Sequence, residues 1–346
     1  MKKSLSVKKK NHKKIQDNLK IKKIFEVYKK FEFFLKKEIK NKPFAVAVSG
    51  GPDSMSLAFL SKCASLKLKL KVKFFIIDHK LRKNSYDEAK KVKLVLKKFK
   101  INSNIIIWKG KKPNSNIQSI ARKERYFLLN KACKKYNINN LLIGHHRDDK
   151  DENFFIRLTR GSGLKGLVSF NKNTYNNSLN LKILRPLINL EKKDLIFISK
   201  KVFSFYIEDP SNNNENFQRI RIRKFMKNLE KEGFDKNKLK KTIDNLESSD
   251  QAIRYYVDQN IKKNSIYLKN TNKSILNLNF FNQPLDISFR SLSETLLSIS
   301  GRYYSPRGKS VLSIISKIKS NNFQKTTLGR CYIEKVNKTI LISKEN

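Results

Sequence analysis

Cysteine is scarce in this 346-residue sequence. The three present, Cys63, Cys133 and Cys331, are odd in number and far apart, which supplies neither a disulfide framework nor a CxxC pair for a metal or a redox cycle. A reducing compartment suits that usage. Long apolar runs are also missing. Lysines interrupt every apolar stretch before it nears the roughly 18 consecutive residues a membrane span needs, so no membrane association is expected. The basic start, MKKSLSVKKKNHKKIQDNLK, leads into no uninterrupted apolar segment and no small-residue cleavage site, so the cytoplasm is the expected location. The third shortage is acid: 29 Asp and Glu stand against 77 Lys and Arg, a formal net charge of +48 at pH 7.

Against these shortages, 39% hydrophobic content with 23 Phe and 12 Tyr is enough for a core, and the length suits one large domain or two ordinary ones. Wholesale disorder is excluded on that ground. Lys, Asn, Ile and Phe are abundant together, as the codons of an AT-rich genome would supply, so part of the charge is compositional. The field still attracts polyanions, because phosphate contacts gain affinity by counterion release. Nucleic acid is the expected partner class.

Residues 1 to 20 read as a basic tail, and Ile24, Tyr28, Phe31, Leu35 and Ile39 recur at helical spacing, which predicts a helix over about 21 to 40. Four apolar runs follow, FAVAV (44 to 48), VKFFIID (72 to 78), NIIIW (104 to 108) and NLLIG (140 to 144), separated by segments of helical length. That alternation predicts an α/β fold, a parallel sheet with flanking helices, whose ligands sit at the carboxyl ends of the strands. After about 215 the texture changes to a long charged helical stretch, strand-like pieces near 274 to 281, a helix near 288 to 299 and two closing runs, RCYIEKV and KTILIS. The expected division is therefore a basic extension with a helix (1 to 40), a parallel-sheet domain (41 to 215), and a helical linker with a smaller α+β domain (216 to 346).

Chemistry should lie in the loops after the strands. Ser49, Gly50, Gly51, Pro52, Asp53 and Ser54 join the strand FAVAV to the helix MSLAFLSKC. Paired glycines admit a close ligand, and the N–H groups opening a helix form an anion site, so phosphate is the expected guest. The GK[ST] ending of a Walker loop is absent, which disfavours an ordinary kinase or GTPase. A turn with Asp53 or Ser54 capping a helix is the plainer alternative. After NLLIG comes Gly144-His145-His146-Arg147-Asp148-Asp149-Lys150-Asp151-Glu152. With a helix starting near Asp148, Asp149 and Glu152 share a face, and such carboxylates with one His suit Mg²⁺ and proton handling better than zinc. Acids in a first turn also complement a helix dipole without further function. Two more clusters, Arg160-Gly161-Ser162-Gly163-Leu164-Lys165-Gly166 and Asp209-Pro210-Ser211-Asn212 followed by Arg219, Arg221 and Arg223, combine glycine or turn residues with cations. The last three arginines alternate with Ile220 and Ile222, as on a strand edge or in a basic helix.

Taken together the motifs resemble a known family. SGGPDS is similar to the SGGxDS loop of the N-type ATP pyrophosphatases, the PP-loop group. IDHKLRKNS (77 to 85), IQSIARKERYFLL (117 to 129), GHHRDDKDENFF (144 to 155), RGSGLKGL (160 to 167) and DPSN with FQRIRIR (209 to 223) follow in the order seen in tRNA(Ile)-lysidine synthases. Lys150 and Asn153 stand where that family usually has Gln and Thr, and Ile220 where it usually has Asn. The resemblance implies ATP and Mg²⁺ as cofactors, and free L-lysine and a tRNA(Ile) with a CAU anticodon as substrates. ATP would adenylate the 2-carbonyl oxygen of the wobble cytidine, and lysine would displace AMP. It further implies that Ser49, Gly50, Gly51, Pro52, Asp53 and Ser54 hold ATP and that Asp53, Asp149 and Glu152 hold metal. His145, Asp149 and Glu152 would orient the amine, and Arg122 would stabilise the intermediate. Arg160, Ser162, Lys165, Asn212, Arg219, Arg221 and Arg223 would meet the tRNA. A tRNA cytidine thiolase of the same ATPase group and a nonenzymatic basic RNA-binding protein are the alternatives, and a homodimer is left open.

YYSPRGKSVLSIISKI and TLGRCYIEKVNKTILIS resemble the C-terminal tRNA-binding part of that family. Methionine tRNAs share the CAU anticodon, so other tRNA regions must be read. Arg302, Tyr303, Tyr304, Arg307 and Lys309 around Pro306 mix cations with aromatics, a combination suited to gripping phosphate and stacking on bases. A solvated loop with two core tyrosines is the plainer alternative.

Overall fold

The computed structural model describes residues 15–82, 84–110, 117–170, 173–176, 180–208, 215–302 and 305–345. Most of the basic tail, residues 209–214 with Asn212, and Tyr303 and Tyr304 lie outside the described residues. The chain forms two compact units that meet in sequence between Lys236 and Asn237.

The first unit opens on α1 (Lys22–Ile39), whose expected stripe of Ile24, Tyr28, Phe31, Leu35 and Ile39 is buried. This helix is part of the unit's main core and not an appendage to it, because the stripe packs with the strand FAVAV and the helix behind it. Glu32 is buried beside it and held by Lys36 and Lys67 at 3.0 and 2.8 Å.

Five parallel strands follow, β1 (Phe44–Val48), β2 (Val72–Asp78), β3 (Ser103–Ile107), β4 (Asn140–Leu142) and β6 (Leu181–Leu184), with β5 (Asn173–Asn176) antiparallel at one edge. Their spatial order is β3-β2-β1-β4-β6-β5. β1 and β4 are buried along almost their whole length, which is why they read as unbroken apolar runs. Helices α2 (Pro52–Lys67), α3 (Ser85–Lys98), α4 (Ile117–Lys135), α5 (Arg147–Leu158), the one-turn α6 (Leu164–Leu167) and α7 (Lys192–Phe203) fill the connections. α2 is the central one: apolar and small residues are buried nearly all round it, and Ser56 Oγ donates to Leu195 O of α7 at 2.7 Å.

The unit continues past the expected boundary at 215 through α8 (Gln218–Lys231), because α8 packs on α5. The Phe155 ring contacts Phe225 and Phe234 edge-on, each at 6.0 Å between centroids.

The second unit begins with α9 (Lys236–Asn264), and its antiparallel sheet has the order β7-β8-β11-β10-β9, formed by β7 (Ser265–Leu268), β8 (Lys273–Asn277), β9 (Lys325–Thr327), β10 (Cys331–Val336) and β11 (Thr339–Lys344). α10 (Leu285–Ser300) and α11 (Gly308–Lys319) supply Leu292, Leu296, Val311 and Ile315 to its core, where they meet Ile333, Ile340 and Ile342. Arg290 of α10, 2% exposed, is neutralised by Asp250 of α9 at 2.5 Å and Asp286 at 3.0 Å. No helix among the described residues is long and apolar enough to cross a membrane.

Candidate active site at the carboxyl ends of the strands

Strand order determines which loops meet. β2, β1, β4 and β6 are consecutive neighbours, so the residues that follow them form one polar row: Asp78 and His79, then Ser49 to Ser54, then His145 and His146, then Arg185.

The loop after β1 is folded around Ser54. Ser54 Oγ accepts from the N–H of Ser49 and of Gly50, each at 3.1 Å, and donates to Gly51 O at 3.0 Å. Ser49 and Gly50 thus spend their N–H groups inside the loop, contrary to the expectation that they cradle phosphate directly. The open donors lie one step on. α2 has Pro52 at its first position and no side-chain cap, so the amides of Asp53 and Ser54 stand at an uncapped, electropositive helix end. Gly50 makes the turn possible. Its φ is +92°, and a Cβ there would lie 2.7 Å from Val92 Cγ2 and 3.0 Å from Ile207 Cδ1. Gly50→Ala is therefore expected to lower unfolding stability by about 1–3 kcal/mol, read by urea denaturation. Unchanged stability would show that the loop does not need this backbone state.

Gly144 brings the next loop into contact. A Cβ on it would lie 3.1 Å from both the Asp53 carbonyl carbon and the Ser54 nitrogen, so the chain after β4 runs directly against the start of α2. His146 then serves as N-cap of α5, and Asp149 Oδ2 accepts the His146 N–H at 3.0 Å. His146 Nε2 lies 3.6 Å from Asp53 Oδ2 and 3.6 Å from Asp149 Oδ2. The sequence pointed to His145. The structure instead places His146, 3% exposed, between the two carboxylates. The signal was its position immediately before the acidic first turn of a helix.

The two carboxylates differ electrostatically. Burial and nearby Asp149 push Asp53 up, against the pull of His146, Lys192 and Arg223, and its buried Oδ1 has no hydrogen-bond partner. Burial also works against ionised Asp149, but His146, His145 and the His146 amide outweigh it and hold this carboxyl below its ordinary value. Asp151, two residues along α5, is raised to about 6 by burial.

Glu152, expected as a metal ligand, is engaged by an arginine here. It is 2% exposed and forms a forked ion pair with Arg223 of α8, through Nε to Oε1 and through Nη2 to Oε2 at 3.3 Å. Among the described residues no three His, Cys, Asp or Glu side chains converge as a metal cluster. Arg223→Ala is expected to cost about 3 kcal/mol by leaving Glu152 charged and unpaired in the interior, and adding Glu152→Gln should recover most of it. Additive losses in that double variant would show that the pair is not coupled.

The arginine triplet is divided by helical geometry. Arg219 and Arg223 are one turn apart and act on the carboxylates, while Arg221 donates to Glu215 O and Asn216 O at 2.9 and 3.1 Å on an exposed face. Arg122 donates to Tyr126 Oη at 3.3 Å, and Arg122 and Arg219 are each close enough to Arg125 to repel it. Arg160 is exposed and donates to Gln218 of α8 at 2.6 Å, while Ser162 and Lys165 flank Gly163 at the start of α6. Arg185, unnoticed in the sequence, is 6% exposed and donates from Nε to His145 Nδ1 at 3.1 Å. Burial holds His145 down to about 3 and His79 to about 4, so both are neutral and neither fits the proton-handling role expected of His145 at neutral pH.

Comparison with known proteins identifies the family of the chain. A family model described as a PP-loop domain matches residues 21–230. The tRNA(Ile)-lysidine synthase of Orientia tsutsugamushi (strain Boryong) is 35% identical over 318 residues, 88% of this chain and 70% of that protein. The tRNA(Ile)-lysidine synthase of Wolbachia pipientis wMel is 31% identical over 311 residues, covering 88% and 71%. Among solved structures, the U34-tRNA thiolase NcsA from Methanococcus maripaludis with its [4Fe-4S] cluster is similar in fold, with a TM-score of 0.50 at 20% identity over 61% of this chain and 74% of that one. The chain belongs to the PP-loop domain family and, within it, to the tRNA(Ile)-lysidine synthases.

Proposed function

We propose that this protein uses ATP to join lysine to the wobble cytidine of a CAU-anticodon tRNA(Ile), in the reducing cytoplasm that its cysteines suit. The observation that carries this reading is the likeness to lysidine synthases along 88% of the chain, which extends into the second unit. ATP adenylates the 2-carbonyl oxygen of cytidine, converting a poor leaving oxygen into a good one. The lysine amine then displaces AMP.

The residues supply what each step requires. The Asp53 and Ser54 amides at the start of α2 receive phosphate oxygens. Mg²⁺ fits beside Asp53, whose buried Oδ1 lacks a partner, and would neutralise charge on the departing pyrophosphate. Glu152, held by Arg223, is not needed for that task. Lysine's amine, with an ordinary pKa of roughly 10.4, is neutral in on the order of one molecule in a few thousand near pH 7. Asp149, which stays ionised, is the carboxylate suited to orient the lysine ammonium by charge. Arg122, Arg125 and Arg219 set positive charge against the anionic intermediate.

The thiolase alternative lacks suitable cysteines. Cys63, Cys133 and Cys331 are buried in three separate cores, and burial pushes their thiols up to about 12, 12 and 11. A purely nonenzymatic RNA-binding protein would give no AMP. RNA-dependent release of AMP and pyrophosphate from ATP supports the enzyme, and none at any RNA concentration would leave the binding protein.

The second unit is the proposed reader of the tRNA outside the anticodon. Arg302, Arg307 and Lys309 are exposed and have no acidic partner among the described residues, and Arg307 and Lys309 occupy the N-cap and first turn of α11, where cations oppose the dipole. Stability does not explain them there. Neutralising all three should weaken tRNA binding about tenfold and reduce the log–log salt slope by about 2–3 units, with ATP binding unchanged. An unaltered slope would remove this cluster from the contact surface.

A further inference from the structure

We propose that Arg185 is a positioning residue that fixes His145 as a neutral imidazole with its proton on Nε2, so that His145 offers a hydrogen bond to an oxygen of the reacting nucleotide. The topology creates the pair. β4 and β6 run parallel with Leu142 opposite Leu184, and the Ile143 N–H donates to Leu184 O at 3.0 Å, so the residues leaving the two strands emerge side by side. Arg185 reaches across from one and His145 from the other.

A guanidinium nitrogen can only donate. With Arg185 Nε 3.1 Å away, His145 Nδ1 must present its lone pair, which leaves the ring proton to Nε2. Phe170 holds both groups in place: its ring lies 4.9 Å from the imidazole centroid and 4.9 Å from the guanidinium. Arg185 is 6% exposed, so little water screens its charge. A second proton on His145 would set two cations against each other, with Arg122 and Arg125 adding repulsion and Asp149 alone opposing it.

Nε2 has no partner among the described residues, so this donor is open to a ligand. A neutral donor suits an oxygen that gains negative charge, such as a phosphoryl oxygen or the cytidine 2-carbonyl, and it does not exchange protons with that oxygen. The nucleotide assignment rests on the proposed reaction, whereas the tautomer does not.

The test is long-range ¹H–¹⁵N NMR of the full chain labelled at histidine, with the His145 signals assigned by His145→Gln. The wild type should show a single neutral Nε2–H tautomer from pH 6 to 8. In Arg185→Ala the two nitrogens should move toward the averaged shifts of exchanging tautomers, and kcat for AMP formation should fall about 10–100-fold with the KM for ATP little changed. Arg185→Lys keeps a donor and should restore part of both. His145→Gln, which keeps a donor near the Nε2 position, should retain more activity than His145→Ala. An Nδ1–H tautomer or an imidazolium in the wild type would overturn the proposal, as would unchanged His145 signals in folded Arg185→Ala. If Arg185→Ala does not fold, the wild-type spectrum and Arg185→Lys still decide. Inactivity of the wild type on every RNA would count against the proposed reaction and leave the tautomer result standing.

Discussion

Replacing Asp53 with alanine is expected to cut AMP and pyrophosphate formation by about 10³-fold or more while leaving the melting temperature equal to or above that of the parent protein. The catalytic loss follows from position. Asp53 opens α2, directly beside the amides proposed to receive phosphate, and it is one of two carboxylates flanking His146 at 3.6 Å. The fold has no corresponding need of it. Burial raises its pKa, its Oδ1 is unpartnered, and so its charge costs stability at neutral pH. Removing a strained functional charge commonly stabilises a protein while disabling it. Near-normal turnover would refute the phosphate-site assignment, and a large drop in melting temperature would make Asp53 a structural residue.

Asp149→Asn is expected to behave differently. Lysine transfer should fall about 10²–10³-fold, and stability should also fall, by about 1 kcal/mol. The sign follows from linkage. The Asp149 carboxyl is held below its ordinary value by its neighbours despite burial, so ionised Asp149 stabilises the fold above the unfolded carboxyl pKa. That contribution is lost as pH falls through the lower folded value. The asparagine variant should therefore differ most from its parent at neutral pH and converge with it in acid, read by urea denaturation across pH. A variant as stable as its parent at pH 7 would contradict the N-terminal bond to His146 as a stabilising contact.

The sheet was legible where its strands are buried on both faces. FAVAV and VKFFIID coincide with β1 and β2, and the stripe from Ile24 to Ile39 coincides with the buried face of α1. β5 and β6 were not legible, because NTYN carries no apolar pattern and LKIL is four residues with a lysine among them. Missing β6 meant missing Arg185, although an apolar strand ending in Arg-Pro at a sheet's carboxyl edge was the available signal. β7 escaped notice because SIYL continues the end of a 29-residue charged helix without a break.

Within the site, sequence order picked out the phosphate loop and the acids but not their pairings. Spacing alone could not show that His146 sits between the carboxylates, since that depends on which histidine caps α5. Nor could it show that Glu152 is taken by Arg223, 71 residues away, because that contact exists only once α8 packs on α5. The arginine triplet carried a usable clue in the difference between helical and strand periods, which places Arg221 opposite its two neighbours.

The central claim is tested most directly by incubating the protein with ATP, Mg²⁺, radiolabelled lysine and two transcripts of tRNA(Ile), one with the CAU anticodon and one with its wobble cytidine changed to uridine. The account predicts label in the CAU transcript only, dependent on ATP and matched by one AMP released per lysine incorporated. Equal label in both transcripts, or AMP release with no lysine in the RNA, would contradict it.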